Sequence, residues 1–352
     1  MSLSLYDSVR NLPLAVERYA LDGLELHVSS DFLRKTTLIR LEGAGEEGVG
    51  EDVTYHGEEH DAQLARGPVL PLAGAWTLHT FSEHLETLAL FEHEPVQHRY
   101  LDYRRWAFES AALDLALRQA GISLGDAVGR EPQPVTFVVS MSLGKPPTTA
   151  RMRAWLDLYP GLRFKLDATS AWTDDLIAEL AESGAVDSVD FKGQYRGTVV
   201  DNPPDPALYR RVVEGLAEAW LEDPALTPET EAVLAPCRDR VTWDAIIHSV
   251  ADIEALPWPP RTVNVKPSRF GSVERLFAAY DYCAERGIGA YGGGQFELGA
   301  GRGQIQLLAA LFHPDTPNDV APGEYNTRPQ PGLPSSPLFV DAEPLGFRVR
   351  PG

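Results

Sequence analysis

Five residues of this sequence could do chemistry together: Lys165, Asp190, Glu222, Asp244 and Lys266, separated by 25, 32, 22 and 22 residues. Each closes a short apolar run: Arg163-Phe164-Lys165, Ser188-Val189-Asp190, Trp220-Leu221-Glu222, Val241-Thr242-Trp243-Asp244 and Val263-Asn264-Val265-Lys266. Three carboxylates on adjacent strand ends supply hard oxygen ligands for magnesium, with manganese as the alternative ion, and leave room for a substrate carboxylate. Two lysines beside them can move a proton at a substrate carbon, because an amine near a cation and out of water has a lowered pKa. Any one of the five alone reads as a cap, a turn or a solvated charge. The ordered set of five is what points to a site.

The gaps set the elements that must carry these residues. A gap of this size holds one loop, one helix and the next strand of a βα repeat. With that period kept, all five side chains stand at the C-terminal mouth of one parallel barrel. The spacing and apolar runs predict eight strands, over 135–140, 162–167, 186–191, 218–223, 240–245, 261–266, 288–296 and 318–321. Amphipathic segments between them predict the outer helices. Asp167 is the competing first carboxylate, in Asp167-Ala168-Thr169-Ser170-Ala171-Trp172. Choosing it leaves no lysine strand before it and makes Glu222 supernumerary, so the register is set on Asp190.

The first 130 residues follow another rhythm. Residues 14–55 alternate in the strand period, as in an antiparallel meander, and residues 60–130 read mostly as helix, best over 103–120. The Pro-rich end of the chain is expected to leave the barrel and pack back on this first part. The division is therefore 1–130 together with 327–352, and 131–326.

Composition bounds the partners. The chain has 352 residues, a net charge of −20 and two cysteines, Cys237 and Cys283. So acidic a chain is not built for nucleic acid or an anionic membrane. Two cysteines make neither a disulfide framework nor a zinc site. The N-terminus lacks the basic start and apolar run of a signal peptide, so a cytoplasmic protein is expected. A homo-oligomer is also expected.

These motifs resemble the enolase superfamily, in the branch of muconate-lactonizing enzymes, o-succinylbenzoate synthases and dipeptide epimerases, over essentially the whole chain. Residues 37–42 and Gly48-Val49-Gly50-Glu51 resemble its capping-domain sheet, and Phe108-Glu109-Ser110-Ala111-Ala112-Leu113-Asp114-Leu115-Ala116 the helix leading into its barrel. Arg163-Phe164-Lys165 resembles the family's Lys-x-Lys, and Gly292-Gly293-Gly294-Gln295-Phe296-Glu297-Leu298-Gly299-Ala300-Gly301-Arg302 its seventh-strand Gly-rich motif. The resemblance implies an α/β fold, a modified TIM barrel of the (β/α)7β kind with an α+β N-terminal capping domain. It implies a magnesium-dependent lyase or isomerase that removes the proton α to the carboxylate of a small acid. Asp190, Glu222 and Asp244 become metal ligands, Lys165 and Lys266 the acid and base, and Arg163 and Glu297 candidates for holding substrate or its oxyanion.

Three departures narrow this. Arg163 replaces the first lysine, Leu298 stands where serine is usual, and Asn318-Asp319-Val320-Ala321 lacks the Asp-x-Asp that holds a dipeptide amine. Cycloisomerisation, synthase-type elimination and racemisation stay open. The alternatives are an acid-sugar dehydratase of the same superfamily and a catalytically silent metal-binding barrel. Phe191, Trp243, Ile246 and Phe296 are expected to line an apolar substrate tail, and the loops at 29–35 and 52–58 to set specificity. His248 and Lys192 are neighbours whose contact with substrate the sequence leaves open.

Overall fold

The computed structural model describes residues 4–29, 32–196 and 200–350. Five strands precede the repeat: β1 (Pro13–Val16), β2 (Arg18–Ser29), β3 (Phe32–Gly43), β4 (Glu46–Asp52) and β5 (Gly74–Thr77). β2, β3 and β4 form the antiparallel meander, and β1 pairs with β5. β4 lies against the helix Tyr100–Ala120, whose facing residues are small. A Cβ on Gly48 would stand 2.2 Å from the Ala111 carbonyl oxygen, and one on Gly50 2.0 Å from that of Ala107. Glycine is what lets strand and helix backbones approach this closely.

The repeat then supplies β6 (Val139–Ser142), β7 (Phe164–Asp167), β8 (Val186–Asp190), β9 (Trp220–Glu222), β10 (Val241–Thr242), β11 (Thr262–Val265) and β12 (Gly289–Gly292). β6 to β10 form one parallel sheet in chain order, and β11 pairs with β12 in parallel. Asn264 N donates to Trp243 O at 2.9 Å and joins the two sheets. The expected eighth strand is reduced to parallel bridges from Asn318 to Phe137 and from Asp319 to Gly293, and these close the ring. The expected α/β barrel is therefore present. Its first strand begins later than the apolar run suggested, because Val135 is taken by an antiparallel bridge to Leu338.

Helices start where the sequence offers caps. Thr173 accepts from Leu176 N at 3.2 Å ahead of Asp174–Ser183, and Ser272 from Arg275 N at 3.2 Å ahead of Val273–Arg286. The C-terminal segment docks through Asp114, which is fully buried. Its carboxylate accepts from Val49 N at 2.9 Å, Phe347 N at 2.8 Å and Arg348 Nε at 2.5 Å. Among the described residues no helix is long and apolar enough to cross a membrane.

Candidate active site

The C-terminal ends of β7 to β11 deliver their charged residues to one place. Asp190, Glu222, Asp223 and Asp244 are all fully buried there. Asp190 Oδ2 lies 2.5 Å from Lys192 Nζ and 3.7 Å from Lys165 Nζ. Glu222 accepts from Lys165 Nζ on one oxygen and from the Tyr291 hydroxyl, at 2.5 Å, on the other. Asp244 meets Lys266 Nζ at 3.0 Å, Arg269 Nη1 at 2.5 Å and the Tyr195 hydroxyl at 3.1 Å. Asp319 Oδ2 stands 3.5 Å from Lys165 Nζ. Five of the residues singled out in the sequence, Lys165, Asp190, Glu222, Asp244 and Lys266, are thus brought together.

Asp223 belongs to this cluster and reads in the sequence only as the cap of an Asp-Pro turn. Its φ of +48° turns the carboxylate inward. The two oxygens accept from Asp244 N and Ala245 N, both at 2.8 Å. Asp223 thereby fixes the backbone that presents Asp244. Among the described residues, Asp190, Glu222 and Asp223 each place one carboxylate oxygen within 4.8 Å of the others.

Charge decides what the cluster can hold. Six carboxylates, those of Asp167, Asp190, Glu222, Asp223, Asp244 and Asp319, face four cations, Lys165, Lys192, Lys266 and Arg269. Burial holds Glu222 up at about 8, against the pull of Lys165 and with the repulsion of Asp190, Asp244 and Asp223. Burial and the repulsion of Asp244 and Asp190 hold Asp223 up at about 7. Burial also works against Asp190 and Asp244, but Lys192 and Lys165 for the first, and Arg269 and Lys266 for the second, keep both below the usual carboxylate range. A buried oxygen-donor group with negative charge in excess fits a hard divalent cation.

Above the cluster lies a cavity of about 580 Å³. Lys165, Asp167, Lys192, Lys266, Arg269 and Asp319 form its floor and walls from the barrel side. Tyr55 and His56 come from the loop at 52–58, as expected, and Gln97, Arg99, Tyr100 and Tyr103 come from the start of the long helix and the turn before it. The other expected specificity loop, at 29–35, does not line the cavity through its described residues, and Ser30 and Asp31 lie outside the described residues.

Three expectations are corrected, and one open question is answered. Arg163 is 40% exposed on its side chain and pairs with Asp187 and with the Gly184 carbonyl, at the entry of β7 rather than at its exit. Two residues of strand back from Lys165 are about 6.6 Å, enough to take it off the mouth. Glu297 does not line the cavity. Its carboxylate accepts from Gln295 N at 2.6 Å and pairs with Arg302 at 3.3 Å, so it braces the Gly-rich loop. His248, whose contact with substrate the sequence leaves open, bonds Ala245 O through its ring, at 3.0 Å, and stays out of the cavity wall. Of the four expected apolar residues only Phe296 lines the cavity. Phe191 packs on Tyr209, with ring centroids 4.0 Å apart, and Trp243 on Trp258 at 5.8 Å.

Residues 7–127 and 131–327 match the two parts of one family, described as "Domain of unknown function (DUF8230) N-terminal domain" and "C-terminal domain". The chain belongs to the DUF8230 family. Among curated relatives, this family member is similar to an o-succinylbenzoate synthase of Geobacillus stearothermophilus, 23% identical over 342 residues, covering 89% of this chain and 86% of the relative. Among solved structures it is similar to a dipeptide epimerase from Enterococcus faecalis V583, with a TM-score of 0.68 at 14% identity, covering 96% of this chain and 99% of that one. It is also similar to a member of the enolase superfamily from Listeria innocua, with a TM-score of 0.64 at 18% identity, covering 88% and 86%. These comparisons meet the enolase-superfamily resemblance read from the sequence and show that superfamily's fold for this chain.

Proposed function

We propose that this protein removes the proton α to the carboxylate of a small organic acid, with a divalent cation, magnesium by preference, at the barrel mouth. The observation that carries this reading is the buried carboxylate cluster at the ends of β8 to β10, with Lys165 and Lys266 on the wall of the cavity above it. Asp190, Glu222 and Asp244 are the residues assigned to hold the ion, with Asp223 setting the backbone of Asp244. When bound there, the ion supplies neutralisation for the negative charge that develops on the substrate carboxylate.

The remaining work falls to the chain itself. β7 and β11 lie four strands apart in a ring of eight, so Lys165 and Lys266 approach from opposite sides of the mouth. Lys266, 3.0 Å from Asp244, is the group assigned to take the proton. Lys165 lies among Glu222, Asp190 and Asp319 and offsets their charge. Tyr55, His56, Tyr100 and Tyr103 cover the cavity from above and exclude water. We also infer that 1–130 with 327–352 forms the capping unit and 131–326 the barrel.

The relationship to o-succinylbenzoate synthase supports synthase-type elimination as the first reaction to try, ahead of cycloisomerisation and racemisation. The eighth strand argues against a dipeptide: Asn318 is spent on Gly292 N, at 2.6 Å, and Asp319 on Lys165. The test is incubation in heavy water with a panel of small acids, read by mass spectrometry. Deuterium at the α-carbon of at least one acid, dependent on magnesium and lost on chelation, is the expected result. Dehydration of polyhydroxylated acids, with no exchange into the others, would replace this reading by the sugar-acid one.

A further inference from the structure

Two amines, not one, stand on the side of the mouth across from Lys266. Lys165 sinks among Glu222, Asp190 and Asp319, and its side chain is 2% exposed. Lys192 follows two residues after Asp190 and has a φ of +55°. For a residue with a side chain that backbone conformation costs on the order of 1 kcal/mol and persists only where the surroundings enforce it. Here Lys192 N donates to Asp190 Oδ1 at 2.8 Å and holds the turn. The turn brings the side chain back over the strand ends. Its Nζ lies 2.5 Å from Asp190 Oδ2, 3.2 Å from Asp167 Oδ1 and 5.1 Å from the centre of the Tyr195 ring. The side chain is 19% exposed and lines the cavity beside Asp167.

We propose that Lys192, with Asp167 as its counter-ion, is the ammonium that contacts substrate on this side of the mouth, donating to an anionic substrate oxygen. Lys165 lines the same cavity more deeply, paired with Glu222. The geometry fits this division. Lys165 lies deeper and gives its hydrogen bond to Glu222, whereas Lys192 is the more exposed amine and is steered by one carboxylate on β7 and one on β8. Asp167 thereby acquires a role, as the group that keeps the Lys192 ammonium on the cavity wall. The chemical use of this contact rests on the proposed proton abstraction; its place in the cavity does not.

Two measurements separate the ideas. In the first, wild-type protein is acetylated briefly with acetic anhydride, and its peptides are read by mass spectrometry, alone and with magnesium and malonate. Lys192 is expected to label several-fold faster than Lys165 and to be protected by the malonate. Labelling of Lys165 as fast as Lys192, or Lys192 as inert as Lys165, overturns the proposal. In the second, an acid that the wild type exchanges in heavy water is offered to Lys192→Ala and Lys192→Arg. A charge-assisted hydrogen bond lost from the bound acid raises KM about tenfold or more in Lys192→Ala, and the arginine variant recovers much of it. An alanine variant of unchanged melting temperature with wild-type KM overturns the proposal. If the wild type exchanges no acid, the proposed reaction fails, while the labelling experiment still decides the place of Lys192.

Discussion

Replacing Glu222 by glutamine isolates the excess charge of the cluster. In the metal-free protein Glu222 is held from an ordinary 4.5 up to about 8, chiefly by burial. Between those values the folded protein binds a proton that the unfolded chain has released, so stability falls as pH rises through the window. From about pH 5.5 to about pH 8.5 the loss attributable to this proton is about 3 kcal/mol, at about 1.4 kcal/mol per pH unit of unequal binding. The proton belongs to the cluster as a whole, because Asp223 is raised in the same way. Asp190 and Asp244 are lowered and act below their ordinary 3.8, and Lys165 and Lys192 are raised and act above 10.5, all outside the window. Buried His60 and His313 and half-buried His248 push the other way, since desolvation lowers each and stability is lost as pH falls. The quantity to measure is therefore the difference between wild type and Glu222→Gln, in which the histidines cancel. Melting curves in chelator should diverge as pH rises, the wild type losing on the order of 5 °C against the variant. Saturating magnesium should restore the wild type and leave the variant nearly unmoved, since an ion bound to the folded form alone stabilises it. Parallel curves for the two proteins, or a wild type that gains on the variant with rising pH, would refute the reasoning.

Three further outcomes follow from the same structure. Lys266→Met should cut α-proton exchange by about a hundredfold or more while its melting temperature stays near that of the wild type, as checked by deuterium incorporation and calorimetry. Arg163→Ala should leave turnover unchanged and cost less than about 1 kcal/mol in chemical denaturation, because its partner Asp187 lies at the barrel entry and the pair is partly solvated. Gly50→Ala should destabilise by about 1–3 kcal/mol in the same assay, since its Cβ would stand 2.0 Å from the Ala107 carbonyl oxygen and 2.4 Å from Ser110 Oγ.

What the sequence showed of this site depended on strand period, and what it hid depended on what lies beyond a single strand. Asp190, Glu222 and Asp244 were legible because a strand-end residue at a βα interval can arrive only at the mouth of a closed barrel. Phe191 and Trp243 were misplaced for a reason the same period contains. Successive side chains of a strand alternate, so neighbours of inward-facing Asp190 and Asp244 face the helix layer, where Tyr209 and Trp258 pack on them. Arg163 lies on the right strand but at the wrong end, and Asp187, which anchors it, belongs to the next repeat. The cavity walls from Gln97 to Tyr103 were hidden because they depend on how the first part of the chain sits over the second.

Asp223 and Lys192 share a cause that no spacing records. Each follows an expected metal ligand by one or two residues, and each takes a positive φ, +48° and +55°. Periodicity assumes that the chain stays extended and then turns away. At both strand ends it instead turns back, and Asp223 and Lys192 return to the cluster. Asp223 thereby sets the backbone of Asp244, and Lys192 bridges Asp190 and Asp167. The turn after β8 thus holds Asp190, and the turn after β9 holds the backbone of Asp244. That arrangement fixes the cluster before any substrate enters, which is what a site acting on a developing charge requires.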